Sequence, residues 1–199
     1  MAASHRTAWL LAGALLIAAA LAFGLWITVA GTPGFDPRVV NAVAGWRTSA
    51  GLWLAATHVG DGWPRSLAGV AIAGLLVWKG RRRAAAVLVG TMTAVAVTNS
   101  GLKMGFARPR PDLLAHLDRV SDLSFPSGHA ASNMAFWLLL VLLVDRRLAV
   151  PALVVVALIG VSRVVLGVHW PSDVLAGWLL GAGFACAGRA LAGSAPSRA

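Results

Sequence analysis

The chain has 199 residues, 58% of them apolar and only 12% charged, with 22 glycines. A soluble domain is about half apolar and about a quarter charged, so this composition lacks the polar surface a water-borne globule needs and describes one integral membrane domain over residues 1–199. Seventeen Lys and Arg against seven Asp, with no Glu, leave a formal charge of +10. These basic residues lie between apolar runs rather than on one face of a soluble helix, which argues against nucleic acid as a partner. The single cysteine, Cys186, sits inside an apolar run and can form neither an intrachain disulfide nor a cysteine zinc site.

A bilayer core asks for about 20 apolar residues per helix. Residues 8–30 meet this at once. His5-Arg6 and Thr28-Val29-Ala30 around that stretch also outline a cleaved signal peptide, but the apolar part exceeds the usual ~7–15 residues, so it is read as a span. In the loop that follows, residues 39–58 mix apolar and polar positions and are predicted to lie along the membrane surface. Trp46 and Trp53 stand seven apart there, and nine Trp with no Tyr suit interfacial anchoring. His58-Val-Gly-Asp61-Gly62 reads as a turn before Pro64, with a role in shaping an entrance as the alternative. Further spans are predicted over residues 64–78, 84–102, 129–144, 148–166 and 171–191, six in all, the second and fourth being the shortest. The 194–199 end is a short low-complexity tail.

Loop charge orients these spans. With the N-terminus in the cytoplasm, the inner side holds Arg6, Lys79-Gly80-Arg81-Arg82-Arg83, Asp145-Arg146-Arg147 and the tail with Arg189 and Arg198. This is the positive-inside pattern, with both termini cytoplasmic. Residues 31–63, 103–128 and 167–170 then face outward.

Three polar clusters fall on that outer side, where ionisable groups near a bilayer need a reason. The third in order, Ser162-Arg163 through His169-Trp-Pro-Ser-Asp173, is the most informative. Pro171 suits the first turn of a helix, and the i,i+4 spacing of His169 and Asp173 lets a carboxylate reach the imidazole. That contact fixes the tautomer and leaves the other ring nitrogen a directed base or nucleophile. Arg163 near the end of the fifth span needs an anion, and Asp173 is one that could supply it. In the second cluster, Pro126-Ser127-Gly128-His129, Ser127 is a good N-cap, and free amides at a helix start with Gly128 beside them can cradle phosphate oxygens. The first cluster, Lys103 to Arg110-Pro111, supplies positive charge. Arg110 is a planar fork able to grip two oxygens, and Arg108 beside it could substitute. Each cluster alone has a bland reading: an ion pair, a capping turn, a solvated basic loop.

Together they provide two histidines, one backed by a carboxylate, three basic groups and a glycine at a helix start, the inventory phosphoryl transfer needs. Asp112, Asp118 and Asp122 lie in a polar loop without matching ligands, and His116 with Asp112 is only a pair, so no metal and no cofactor are expected.

The spacing Lys103-x6-Arg110-Pro111, Pro126-Ser127-Gly128-His129 and Ser162-Arg163-x5-His169-x3-Asp173 resembles the three-part signature of the type 2 phosphatidic acid phosphatases, or lipid phosphate phosphatases, which share a fold with vanadium haloperoxidases. The resemblance implies an all-α bundle of six transmembrane helices around that catalytic core, in a compact bacterial inner-membrane protein. It implies that His169 attacks phosphorus, that Asp173 orients it, and that His129 protonates the leaving group and later activates water. Lys103, Arg110, Arg163, Ser127 and Gly128 would hold the phosphoryl oxygens. One histidine must be neutral and the other protonated, so a bell-shaped pH profile is expected. Among substrates acted on by such bacterial proteins, undecaprenyl pyrophosphate suits an outward-facing site, with phosphatidylglycerol phosphate, phosphatidic acid and lipid A phosphates as alternatives. A haloperoxidase is disfavoured by the apolar composition, and a lipid-binding or transport protein by the apolar middles of the spans.

Overall fold

The computed structural model describes residues 2–120 and 123–192. Asp122, Arg198 and the 194–199 tail lie outside the described residues. Among the described residues eight α-helices follow one another: α1 (Ala2–Ala30), α2 (Phe35–Ala42), α3 (Ala50–Val59), α4 (Gly62–Trp78), α5 (Arg82–Phe106), α6 (Gly128–Leu143), α7 (Ala149–Val165) and α8 (Pro171–Ala192). Among the described residues no strand forms beyond an isolated bridge between Pro109 and Leu123. Ser4–Ala30, Arg82–Phe106, Arg146–Val165 and Pro171–Ala192 are long and apolar enough to cross a membrane. The shorter helices α4 and α6 have 17 and 16 residues. At about 1.5 Å per residue such helices reach about 25 Å, somewhat less than a bilayer core of about 30 Å. The segment expected along the surface folds as α2, a 3-10 turn over Ala44–Ser49, and α3. Trp46 and Trp53 stack there at 5.8 Å between ring centroids.

Small residues set the packing. A Cβ on Gly177 would stand 2.7 Å from the Ser127 carbonyl and 2.8 Å from Ala130 Cβ, and one on Gly181 would strike the Ala131 carbonyl. Helices α6 and α8 therefore approach at backbone distance, the close contact that small residues permit where lipid offers no hydrophobic drive. Gly183 does the same for α8 against α1, where a Cβ would meet the Gly13 carbonyl at 2.9 Å. Large side chains such as Leu15, Val29, Val70, Val97 and Leu153 point outward, as lipid-facing positions do.

The two ends of the bundle differ in charge. Where α4 turns into α5, Gly80 takes φ +74°, and the amides of Gly80 and Arg81 return to the carbonyls of Val77 and Leu76 at 2.9 and 2.7 Å. This capping motif satisfies carbonyls a helix would otherwise leave open. Arg81 then donates to the Leu143 carbonyl at 2.5 Å and Arg83 to that of Leu191 at 2.8 Å. The basic turn thus clasps the ends of α6 and α8, and all three predicted site clusters lie at the opposite end.

Candidate functional site

The path from Arg163 to Asp173 is dictated locally. Gly167 takes φ +76°, and its amide and that of Val168 return to Val164 and Arg163 carbonyls at 3.0 and 3.1 Å, closing α7 with the same motif. The His169 amide joins the Arg163 carbonyl at 3.2 Å. Two residues on, Pro171 opens α8, and Asp173 reaches back to accept from the Trp170 amide at 2.9 Å, as an acidic residue does in a capping box. The same carboxylate oxygen, Oδ2, lies 3.3 Å from His169 Nδ1. The expected His169–Asp173 contact is therefore present, and two helix caps place it.

His169 is buried, and its Nε2 lies 3.2 Å from Arg110 Nη1. A guanidinium can only donate, so Nε2 must accept, which assigns the ring proton to Nδ1 and directs it at Asp173. Burial and the charges of Arg110, Lys103, Arg163 and His129 hold the imidazole pKa well below its ordinary 6.5. The ring is neutral, with a lone pair aimed at a cation where an anion could intervene. Arg110 also donates to the Val168 carbonyl. Lys103 Nζ donates to the carbonyls of Leu123 and Ser124 at 2.8 and 3.3 Å.

Arg108 takes a different position from the one weighed in the sequence. It is not a spare anion ligand: Nη1 donates to Asp173 Oδ1 at 2.6 Å and Ser172 Oγ at 2.7 Å, and Nη2 to Asp36 Oδ2 at 2.9 Å. Its guanidinium stacks 5.5 Å from the Trp170 ring centre. Asp36, from α2, also accepts from the Ser172 amide at 2.9 Å and its hydroxyl at 2.5 Å. Two fully buried carboxylates thus share one guanidinium beneath His169.

Arg163 is likewise not paired with Asp173. Its Nη1 donates to Thr57 Oγ1 at 2.6 Å and to Asp118 Oδ2 at 2.5 Å. Partial burial would raise the Asp118 pKa, but the hydrogen bond and charge of Arg163 outweigh it and hold the carboxyl below its usual range. Arg163 Nε is buried without a hydrogen-bond partner. A buried guanidinium donor without a partner is chemically suited to an oxyanion.

Ser127 caps α6, its Oγ accepting from the Ala130 amide at 3.5 Å, and its own amide donates to the Asp173 carbonyl at 3.0 Å. Gly128 lies against Asn99, whose Oδ1 would stand 3.0 Å from a Cβ. Asn99 Nδ2 donates to the Pro126 carbonyl at 3.3 Å. His129 Nε2 lies 2.8 Å from Asp61 Oδ1 in the α3–α4 turn, so the stretch read as a simple turn holds one of the two histidines. His116, considered with Asp112, instead faces the Pro111 carbonyl at 2.8 Å.

Sequence reasoning missed Asp36 and Thr57, read Asp61 as part of a turn with an entrance role only as the alternative, and left Asp118 in an unassigned loop. Asp36 carried a signal that went unread, an acid in the first turn of a short helix ahead of a run of outer-side loops. The other contacts link positions too distant in sequence for any spacing rule.

An α-helical, multi-pass membrane protein with two histidines and several cations gathered at one end of its bundle is the class these observations define. The chain belongs to the PAP2 superfamily, whose family model matches residues 84–193. It is 33% identical over 112 residues to the undecaprenyl-diphosphatase of Sulfolobus acidocaldarius, covering 54% of each chain. It is 44% identical over 79 residues to the decaprenylphosphoryl-5-phosphoribose phosphatase of Mycobacterium tuberculosis, covering 38% of this chain and 42% of that one. The chain thus spans about half the length of these curated relatives. Among solved structures it is similar to the PAP2-type phosphatidylglycerolphosphate phosphatase of Bacillus subtilis, with a TM-score of 0.71 and 25% identity over 84% of this chain and 91% of that one. Aquifex aeolicus LpxE shares the fold, with a TM-score of 0.65 at 22% identity over 77% of this chain and 94% of that one.

Proposed function

We propose that this protein is a membrane lipid phosphatase that hydrolyses a phosphate or diphosphate ester through a phosphohistidine on His169. The observation that carries this reading is the buried, neutral His169, held by Asp173 at Nδ1 with Nε2 presented to Arg110. An incoming phosphoryl group takes the place between Nε2 and Arg110 and gains the charges of Lys103 and Arg163, with Ser127 and the Gly128 amide completing the cradle. Nε2 attacks phosphorus as the bond to the leaving oxygen breaks, and His129 gives that oxygen its proton. Water then attacks the phosphohistidine, His129 takes the water's proton, and the N–P bond breaks to free His169. Preorganised cations aimed at the equatorial oxygens supply the electrostatic part of the rate.

In the same reading the chain is one domain whose helices α1, α4, α5, α6, α7 and α8 make six crossings of a bacterial cell membrane. The basic turns and both ends of the chain face the cytoplasm, and the site opens on the far side at headgroup level, the lipid chains remaining in the bilayer. Undecaprenyl pyrophosphate ranks first as substrate, supported by the polyprenyl names among the relatives; phosphatidylglycerol phosphate and phosphatidic acid rank behind it.

The test is phosphate release in detergent with excess chelator, comparing wild type and His169→Ala on these three lipids. Release that vanishes in the variant supports the mechanism, and the ranking of rates selects the substrate. No release by wild type from any of them, or equal release by both proteins, would refute it in favour of lipid binding or transport.

A further inference from the structure

Asp61 lies outside the stretch the family model matches, in the turn between α3 and α4. It occupies the N-cap of α4, where an aspartate ordinarily accepts from the first free amides of the helix. It makes no such side-chain cap. Its Oδ1 is instead 2.8 Å from His129 Nε2 on α6. A carboxylate that forgoes its local partners for an imidazole across the bundle is a directed contact.

The turn is built to hold that contact. The Gly60 carbonyl accepts from Arg65 Nη1 at 2.7 Å and from Asn133 Nδ2 at 2.8 Å, and Asn133 also donates to the His129 carbonyl at 2.9 Å. Asn133 thereby ties the turn to the first turn of α6. Only a glycine fits at position 60, since a Cβ would stand 2.8 Å from Ile159 Cγ2 and 2.9 Å from Asn133 Nδ2. Neighbouring Thr57 holds Arg163 in the same way. The two side chains keep 38% and 25% of their surface, so the pair sits at an aqueous mouth while His169 and Asp173 are sealed below.

We infer that Asp61 is a positioning residue for the proton-transferring histidine, and that the α3–α4 turn is part of the reaction site. This rests on the phosphatase reading above. With Nε2–H held by the carboxylate, the nitrogen left to exchange a proton with the leaving oxygen is Nδ1. In the first step the Nδ1 proton passes to that oxygen as its bond to phosphorus breaks, and His129 remains neutral with Nε2–H on Asp61. In the second step Nδ1 receives the proton of the attacking water. The titratable groups that face His129 are Asp61 from the turn, Arg65 from α4, Arg163 from α7, Asp118 from its loop and the neutral His169. Asp61 and Asp118 favour the imidazolium and the two arginines oppose it. Removing the Asp61 charge therefore disfavours the proton-donating form.

The experiment compares wild type with Asp61→Asn, full chain in detergent, as kcat/KM against pH. One probe is phosphatidic acid, whose alkoxide leaving group needs protonation; the other is p-nitrophenyl phosphate, whose leaving group does not. Loss of about tenfold on phosphatidic acid, a change within about twofold on the aryl ester, and an alkaline limb moved about one pH unit lower are the expected results. Asp61→Glu should restore the limb. Should Asp61→Asn fail to fold, Asp61→Ser, which keeps an N-cap without the charge, gives the same comparison. Equal losses on both esters with the limb unmoved, or no loss on either, would overturn the inference. If wild type releases no phosphate from either probe the phosphatase reading itself falls; activity that is lost in His169→Ala but unaltered in Asp61→Asn removes only the role of Asp61.

Discussion

Replacing Arg108 by alanine tests the buried charge network most directly. Asp36 and Asp173 are both fully buried, and Arg108 is the guanidinium that bridges them at 2.9 and 2.6 Å. Truncation strands two carboxylates without their counter-charge, and breaking a buried ion pair from one side costs about 3–5 kcal/mol. Lost stacking on Trp170 adds about 0.5–1 kcal/mol. One kcal/mol moves the melting temperature of a chain this size by about 2–4 °C, so Arg108→Ala should melt at least about 6 °C lower. Arg108→Lys should fall between, because one ammonium cannot span both carboxylates as the planar fork does. Thermal unfolding in detergent, followed by tryptophan fluorescence, reads this directly. Turnover should fall as well, since Asp173 loses the contact that steadies its Oδ1 while Oδ2 holds His169. A variant that melts with the wild type but shows a raised KM would refute the network and make Arg108 an ordinary phosphate ligand.

Three further outcomes follow from the same geometry. His169 is held well below pH 6.5 by burial and neighbouring cations, so below that pH the unfolded chain takes up a proton the folded chain refuses; stability should fall from pH 7 to pH 5, and His169→Asn should flatten that slope in thermal melts. Gly177→Ala drives a methyl to within 2.7 Å of the Ser127 carbonyl and should destabilise by about 1–3 kcal/mol, with a lower melting temperature and slower turnover as α6 and its His129 shift from α8. Asp118 sits on Arg163, where a phosphoryl oxygen would bind, so Asp118→Asn should tighten inhibition by inorganic phosphate; because Arg163 holds the carboxyl below its usual range, wild type should show no such tightening on going from pH 7 to pH 5.

The apolar runs, their lengths and the basic turns were legible in the sequence because lipid solvation acts on each segment separately. The same holds for contacts within one helical turn or one cap. His169 meets Asp173 because i,i+4 across the start of α8 leaves little choice, and Ser127 caps α6 because its side chain reaches the amide three residues on. Span ends moved by only a few residues, as at α5, which runs on to Phe106 and carries Lys103 in its last turn. The partners of the charged groups were not legible in this way. Asp36 finds Arg108 across 72 positions, Asp61 finds His129 across 68, and Asp118 finds Arg163 across 45. Those pairings depend on which helix ends the glycine-mediated contacts of α1, α6 and α8 bring together. In a low-dielectric bundle each buried charge must take a partner from whatever lies beside it, so the sequence determined which groups needed partners, and the packing of the helices decided which ones they received.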